Sequence, residues 1–198
     1  MNLKNRLFNT TNENIDLIKK LNSKKYLTHI ENIVDKIFIT IKNRNKIMIC
    51  GNGGSAADAQ HMAAEFIVRL NKDKNRKALP MISLALDTST ITACGNDYNF
   101  NDIFSRSLEA IGQKGDLLFV ISTSGMSKNI LKVLKKAKKM KINSVALLGT
   151  GGGRAKSLSD FSLVVPSNNT ARIQESHIFL GHFILNCVEE KILRKKND

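Results

Sequence analysis

The side chains best suited to acid/base or metal chemistry fall into two separate clusters. In the first, His61 and Glu65 are four residues apart, so on a helix they share one face. An imidazole and a carboxylate so placed could bind zinc or act as an acid/base pair, although this spacing is more often an exposed helix contact. The second cluster spans residues 172–177, with His182 beyond it. The alternative interpretation of this second cluster is that it is only the polar side of an amphipathic C-terminal helix.

Two segments have the pattern of a strand, a loop and the start of a helix. The apolar run at 46–50 passes into Gly-Asn-Gly-Gly-Ser at 51–55, and the run at 117–122 passes into the hydroxyl-rich residues 123–127. Free N–H groups and the positive end of a helix dipole make such loops anion sites. The first loop lacks the endings of a P-loop and of a dinucleotide loop, so we expect a smaller phosphate ester. The glycines at 149–153 are equally a third contact or a flexible connection.

The elements that would position these residues alternate between short apolar runs and helical patterns. Strands are predicted at 46–50, 81–86, 117–122, 143–149 and 161–165, and helices near 55–70, 101–112, 127–141 and 171–194. This alternation predicts an α/β fold, with a parallel sheet covered by helices and a binding site at the carboxyl ends of the strands. A pair of helices at about 3–43 precedes it. We expect one domain over residues 1–198.

The formal net charge of +14 raises the question of nucleic-acid binding. Its densest part, residues 128–141, places lysines opposite an apolar stripe at helical spacing and contains no aromatic residue for base stacking. A solvated helix is therefore the favoured interpretation, and no nucleic-acid or membrane partner is expected.

The three widely spaced cysteines predict neither disulfides nor a thiolate zinc site. Without an apparent signal peptide or membrane span, a cytoplasmic protein is expected.

Four blocks together resemble the phosphoheptose isomerases of the sugar isomerase (SIS) superfamily. They are GNGGSAADAQHMAAEF, GNDYNFNDIFSR, ISTSGMS and TARIQESHIFLGH. The resemblance implies a five-stranded parallel sheet flanked by helices, and a homotetramer with active sites at subunit interfaces. It also implies conversion of sedoheptulose 7-phosphate to D-glycero-D-manno-heptose 7-phosphate through an ene-diol. That reaction is the first step toward nucleotide-activated heptose for lipopolysaccharide or capsule.

The resemblance also assigns roles to individual residues. The phosphate would be bound by Ser122, Thr123, Ser124 and Ser127. The sugar would be held by Asn52, Ser55, Asp97 and Thr170, and the substrate site would also include Gly53, Gly54 and Gln174. One Zn²⁺ per subunit would be bound by His61, Glu65, Gln174 and His182. Glu65 and His182 would also be the acid/base pair that moves a proton between adjacent carbons.

One residue departs from the pattern of these isomerases, and the spacing of two others raises a geometric difficulty. Ala171 stands where some members have an acidic residue, so a substrate contact is missing and Thr170 is a candidate replacement. Gln174 and His182 are eight residues apart, about 12 Å along a straight helix, which favours a site shared between subunits. A non-catalytic SIS protein that binds a sugar phosphate or a replication-initiator partner is the alternative. The presence of both Glu65 and His182 favours the enzyme.

Overall fold

The computed structural model describes residues 2–194. They begin with two helices of 19 residues each, α1 (Leu3–Leu21) and α2 (Lys24–Lys42). The strands are β1 (Ile47–Gly51), β2 (Met81–Ser83), β3 (Leu117–Ser122), β4 (Asn143–Leu148) and β5 (Phe161–Val164). The remaining helices are α3 (Gly54–Ile67), α4 (Thr88–Asp97), α5 (Ile103–Ile111), α6 (Lys128–Lys139), α7 (Gly153–Leu158) and α8 (Thr170–Arg194). Short 3₁₀ turns occupy Phe100–Asp102 and Thr150–Gly152.

The five strands form one parallel sheet in the order β2-β1-β3-β4-β5. Its two faces contact two separate hydrophobic clusters. Along β1, Ile47 and Ile49 belong to the cluster that includes residues of α1, α2, α3 and α8, whereas Met48 and Cys50 belong to the cluster on the other face. The central strands β1, β3 and β4 are buried on both faces, so apolar residues follow one another along them rather than alternating with polar residues. The predicted parallel sheet, flanking helices and N-terminal helical pair are thus confirmed.

Two predicted boundaries differ from the structure near the first sheet edge. The strand expected at 81–86 ends at Ser83, because β2 is an edge strand that pairs with β1 at only three positions. The helix α4 follows at Thr88–Asp97, where the sequence pattern indicated none. Threonine, isoleucine and glycine give this segment low helix propensity, but the Asp87 carboxylate accepts a hydrogen bond from the Ser89 N–H and caps the helix. Within residues 2–194, none of the helices has the length and apolar character needed to span a bilayer.

Candidate active site

The two loops singled out in the sequence lie side by side because their strands, β1 and β3, are neighbours in the sheet. The side-chain amides of Asn52 and Asn129 join them directly. Asn52 Nδ2 donates to Asn129 Oδ1 at 2.9 Å, and Asn129 Nδ2 donates to Asn52 Oδ1 at 2.8 Å. Asn129 is buried in the first turn of α6, so this amide pair couples the start of α6 to the first loop. Asn129 was not among the predicted site residues, because its partner is 77 residues away in the chain.

The first loop, residues 52–55, is a tight turn that requires glycine. Gly53 has φ +55°, a left-handed conformation that glycine adopts readily. A Cβ on Gly51 would lie only 2.5 Å from the backbone oxygen of Ser55. The Ser55 N–H donates to Asn52 O at 3.0 Å, and the Ser55 side chain is buried. This close packing sets the direction in which α3 leaves the sheet.

The second loop, residues 123–127, carries the hydroxyl groups expected to bind phosphate. Ser122 Oγ accepts a hydrogen bond from the Gly125 N–H at 3.1 Å, and Ser124 Oγ accepts one from the Met126 N–H at 3.2 Å. Ser127 is the N-cap of α6, and its side chain makes no capping hydrogen bond. Its hydroxyl is therefore available, together with the positive end of α6, to bind an anion. We call residues 122–127 the phosphate loop.

The glycine-rich turn at residues 149–153, which we call the glycine junction, packs directly against the phosphate loop. The Ala155 N–H donates to Gly125 O at 2.9 Å. A Cβ on Gly125 would lie 2.1 Å from Gly152 O, and a Cβ on Gly153 would lie 2.5 Å from Ser124 O. The two backbones approach too closely for any side chain between them. The glycines thus allow close packing of two loops rather than a free connection, and a third contact with the ligand at this junction stays a prediction.

His61, Glu65 and His182 come together where α3 passes α8. The Nε2 atoms of His61 and His182 are 2.8 Å apart, and their rings meet edge to face with centroids separated by 5.0 Å. Glu65 Oε1 lies 3.6 Å from His61 Nε2. The separation of the two ring nitrogens is that of a hydrogen bond, in which one imidazole donates and the other accepts. Since all three residues belong to one chain, this grouping needs no second subunit.

Asp58 belongs to the same neighbourhood, although the sequence analysis did not identify it. It lies one turn before His61 on α3, and its Oδ2 is buried without a hydrogen-bond partner among residues 2–194. Burial raises the pKa of the Asp58 carboxyl, and the nearby imidazoles of His61 and His182 lower it by a smaller amount. The spacing of three residues from His61 was the available signal for this third polar group on one helix face.

Gln174 is separated from the other three proposed zinc ligands. Its side chain packs against Gly54, the first residue of α3. A Cβ placed on Gly54 would lie only 2.7 Å from Gln174 Nε2. His61 is about 10 Å further along the same helix. α8 is one continuous helix from Thr170 to Arg194, so it does not bend to bring Gln174 beside His182. The structure therefore places three of the four proposed ligands together within one chain.

The side chains of His61, Glu65 and His182 are of types that bind zinc, but the distance between the two imidazole nitrogens is that of a hydrogen bond. Two imidazoles and a carboxylate are common zinc ligands. Zn–N bonds of about 2.0–2.1 Å in tetrahedral geometry hold two ligand nitrogens about 3.3 Å apart, so the imidazoles of His61 and His182 would have to separate slightly. In the described part of the chain, no group of three or more His, Cys, Asp or Glu side chains already has the arrangement of a metal site.

The two remaining proposed sugar contacts lie at helix ends. Asp97 is the last residue of α4, is exposed, and accepts a hydrogen bond from Asn96 Nδ2 at 2.8 Å. Thr170 is the exposed first residue of α8. The adjacent Ala171 N–H donates to Asn169 Oδ1 at 3.1 Å, so an asparagine caps this helix. Both side chains are free of the core and accessible to a ligand.

Comparison with known proteins places this geometry in a family. Residues 11–149 match the family model described as SIS domain. The phosphoheptose isomerase of Clostridium acetobutylicum is 46% identical over 180 residues, which cover 91% of each chain. That of Campylobacter concisus is 56% identical over 151 residues, covering 76% of this chain and 79% of the relative.

Solved structures agree with the sequence comparisons. The phosphoheptose isomerase of Neisseria gonorrhoeae is 37% identical, with a TM-score of 0.88 over 96% of this chain and 100% of that one. The corresponding structure from Francisella tularensis is 31% identical, with a TM-score of 0.87 and the same coverage. From its sheet, its loops and these similarities, the chain belongs to the SIS domain family and, within it, to the phosphoheptose isomerases.

Proposed function

We propose that the protein isomerises sedoheptulose 7-phosphate to D-glycero-D-manno-heptose 7-phosphate, the first step of nucleotide-activated heptose biosynthesis. The observation that carries the proposal is the grouping of His61, Glu65 and His182 on helices that also border the two loops. α3 runs from the first loop to Glu65, and the Asn52–Asn129 pair joins that loop to α6. Such a site suits a substrate with a phosphate at one end and a reacting carbonyl at the other.

The residues of this chain divide the chemistry between binding and proton transfer. The hydroxyl groups of Ser122, Thr123, Ser124 and Ser127, with the N-terminus of α6, would bind the phosphate. The Glu65 carboxylate would take the proton from C1 of the ketose and return it to C2 of the ene-diol. His182 would move a proton between the oxygens on C1 and C2. The hydrogen bond between His61 Nε2 and His182 Nε2 holds the two rings side by side, and it would be replaced by the ion where zinc binds both imidazoles.

A bound zinc ion is part of the proposal, with His61, Glu65 and His182 as the ligands available within one chain. Such an ion would stabilise the oxyanion that develops on the substrate. Two imidazoles and a carboxylate within reach of one another support this assignment. Gln174 would complete the set only from a different position, because in this chain it lies against Gly54.

We also propose a cytoplasmic homotetramer. α1 carries large apolar side chains that a single chain leaves exposed, including Leu3 at 72%, Leu7 at 69% and Phe8 at 65%. At the other end of α1, a groove between α1, α2 and α8 is mostly apolar; besides Lys19 and Asn22 it is lined by Ile18, Leu21, Leu27, Ile30, Phe179, Leu180 and Phe183. Exposed apolar surfaces of this kind are commonly buried in oligomer interfaces, which supports self-association.

The test is incubation of purified protein with sedoheptulose 7-phosphate and detection of the aldose product by NMR. Sedoheptulose without phosphate is the matched substrate control, because it lacks the group that the phosphate loop would bind. We expect turnover of the phosphorylated ketose only. Binding of the sugar phosphate without turnover would instead identify a non-catalytic SIS protein.

A further inference from the structure

The end of α3 that carries Glu65 is held by a buried arginine from the following segment. Arg76 Nη2 donates to the backbone oxygen of Glu65 at 3.0 Å, and Arg76 Nη1 donates to the backbone oxygen of Phe66 at 2.9 Å. Nη1 also lies 3.1 Å from Lys77 O. The guanidinium stands 5.9 Å from the centre of the Phe66 ring. The side chain of Arg76 is only 1% exposed.

These contacts meet a specific need of the helix end. The last four carbonyls of a helix lack partners within it and carry the negative end of its dipole. Arg76 supplies both hydrogen-bond donors and positive charge to the turn that contains Glu65. Lysine has a single ammonium group, so it cannot reproduce the planar fork that reaches two carbonyls at once.

The same arginine is tied to the helix of His182. Arg76 Nε donates to Glu189 Oε1 at 2.5 Å, and the Glu189 side chain is also 1% exposed. Glu189 follows His182 by about two turns of α8. The Arg76–Glu189 pair therefore joins the backbone of Glu65 to the helix that supplies His182.

Stability alone does not account for a buried ion pair at this place. Replacing such a pair with apolar side chains of similar size is often neutral or stabilising, because two charges no longer have to leave water. Glu189 Oε2 has no hydrogen-bond partner among residues 2–194, so the pair is not fully compensated. Apolar side chains could not, however, donate the hydrogen bonds that Arg76 gives to the backbone carbonyls of Glu65 and Phe66.

We propose that Arg76, held in place by Glu189, is a positioning residue that sets the Glu65 carboxylate relative to His182 during isomerisation. This inference rests on the proposed function. Arg76 donates to backbone oxygens of α3, and it acts on the reaction only through Glu65. The phosphate loop is on β3 and α6, so substrate binding through the phosphate does not depend on this pair.

The central experiment compares two apolar double variants. Arg76→Met with Glu189→Met removes both charges together and takes the Arg76 donor from the carbonyls of Glu65 and Phe66, of which Phe66 O keeps the Leu79 N–H at 3.2 Å. Lys74→Met with Glu190→Met is the matched control, because Lys74 Nζ and Glu190 Oε1 form an ion pair at 3.1 Å between the same two segments. Lys74 makes no hydrogen bond to α3 in the described part of the chain.

We expect the Arg76/Glu189 double variant to keep its melting temperature and KM while kcat falls about 10- to 100-fold, the range found for residues that orient functional side chains. The control should keep both constants. Arg76→Lys, which retains the charge, should be folded and recover part of kcat. Wild-type kcat in the double variant, or a loss matched by loss of folded protein in both Arg76 variants, would overturn the proposal.

A second readout separates this inference from the proposed function. Amide hydrogen exchange of residues 64–67 should be faster in the Arg76/Glu189 double variant than in wild type, and unchanged in the Lys74/Glu190 control. If the wild-type protein fails to isomerise the sugar phosphate, the proposed function fails, and the exchange rates still decide whether Arg76 holds the end of α3. Unchanged exchange in both double variants would contradict that role.

Discussion

Acidification should destabilise this protein through one buried histidine, His177 on α8. Its ring is fully buried, and neither nitrogen has a hydrogen bond of good geometry among residues 2–194. Burial lowers the pKa of His177 from its ordinary value of 6.5 to about 4, and the backbone of Leu148 opposes this shift weakly. The native protein therefore keeps His177 neutral at a pH where the unfolded chain has already bound a proton.

The sign and size of the effect follow from proton linkage. Between pH 6.5 and about 4 the unfolded state binds more protons at this site, so the free energy of unfolding falls as the pH falls. The difference of about 2.5 between the two pKa values corresponds to about 3 kcal/mol, which is fully present above pH 6.5 and lost near pH 4. This is a large part of the stability of an ordinary domain.

The measurement is urea unfolding of wild type and His177→Gln at several pH values from 7 to 4, at one protein concentration. Glutamine is neutral throughout this range, so carboxylates that titrate in both proteins cancel in the comparison. The variant is expected to be less stable at pH 7, because its amide is buried in a site shaped for imidazole. Relative to the variant, wild type should lose about 3 kcal/mol on acidification. Parallel curves for the two proteins would refute a buried neutral His177.

Three further predictions concern the site. Glu65→Gln should lower kcat by at least about 100-fold with little change in KM, since the amide cannot accept a proton; near-normal steady-state rates would exclude Glu65 as the base. Gly151→Ala should cost about 1 kcal/mol of stability because its φ is positive, and Gly153→Ala should cost more because its Cβ would also lie 2.5 Å from Ser124 O; only Gly153→Ala should raise KM, by about tenfold. A KM unchanged in both would show that this contact does not shape the phosphate loop. Metal analysis should find up to one zinc per subunit and His61→Ala should weaken its binding; full activity in metal-free protein would assign these side chains to acid/base or structural roles.

Several parts of the fold were predictable because their signals are local. Strands buried on both faces are largely continuous apolar runs, so β1, β3 and β4 were recognisable from composition. The edge strand β5 is only partly buried and was recognisable as a shorter apolar run. The N-terminal helices were recognisable because one face of each repeats apolar residues at helical spacing. Helix α4 was missed because its residues have low helix propensity and its stability comes from Asp87 and packing.

The sequence by itself determined the alternation of strands, loops and helices and the placement of His61 and Glu65 on one helix face, because each depends on residues close together in the chain. Only the tertiary structure decided which distant groups meet: Asn52 with Asn129, the glycine junction with the phosphate loop, and Arg76 with Glu189. It also placed Gln174 against Gly54 rather than beside His182. Such contacts depend on how helices are laid across a sheet, and no local periodicity records that arrangement.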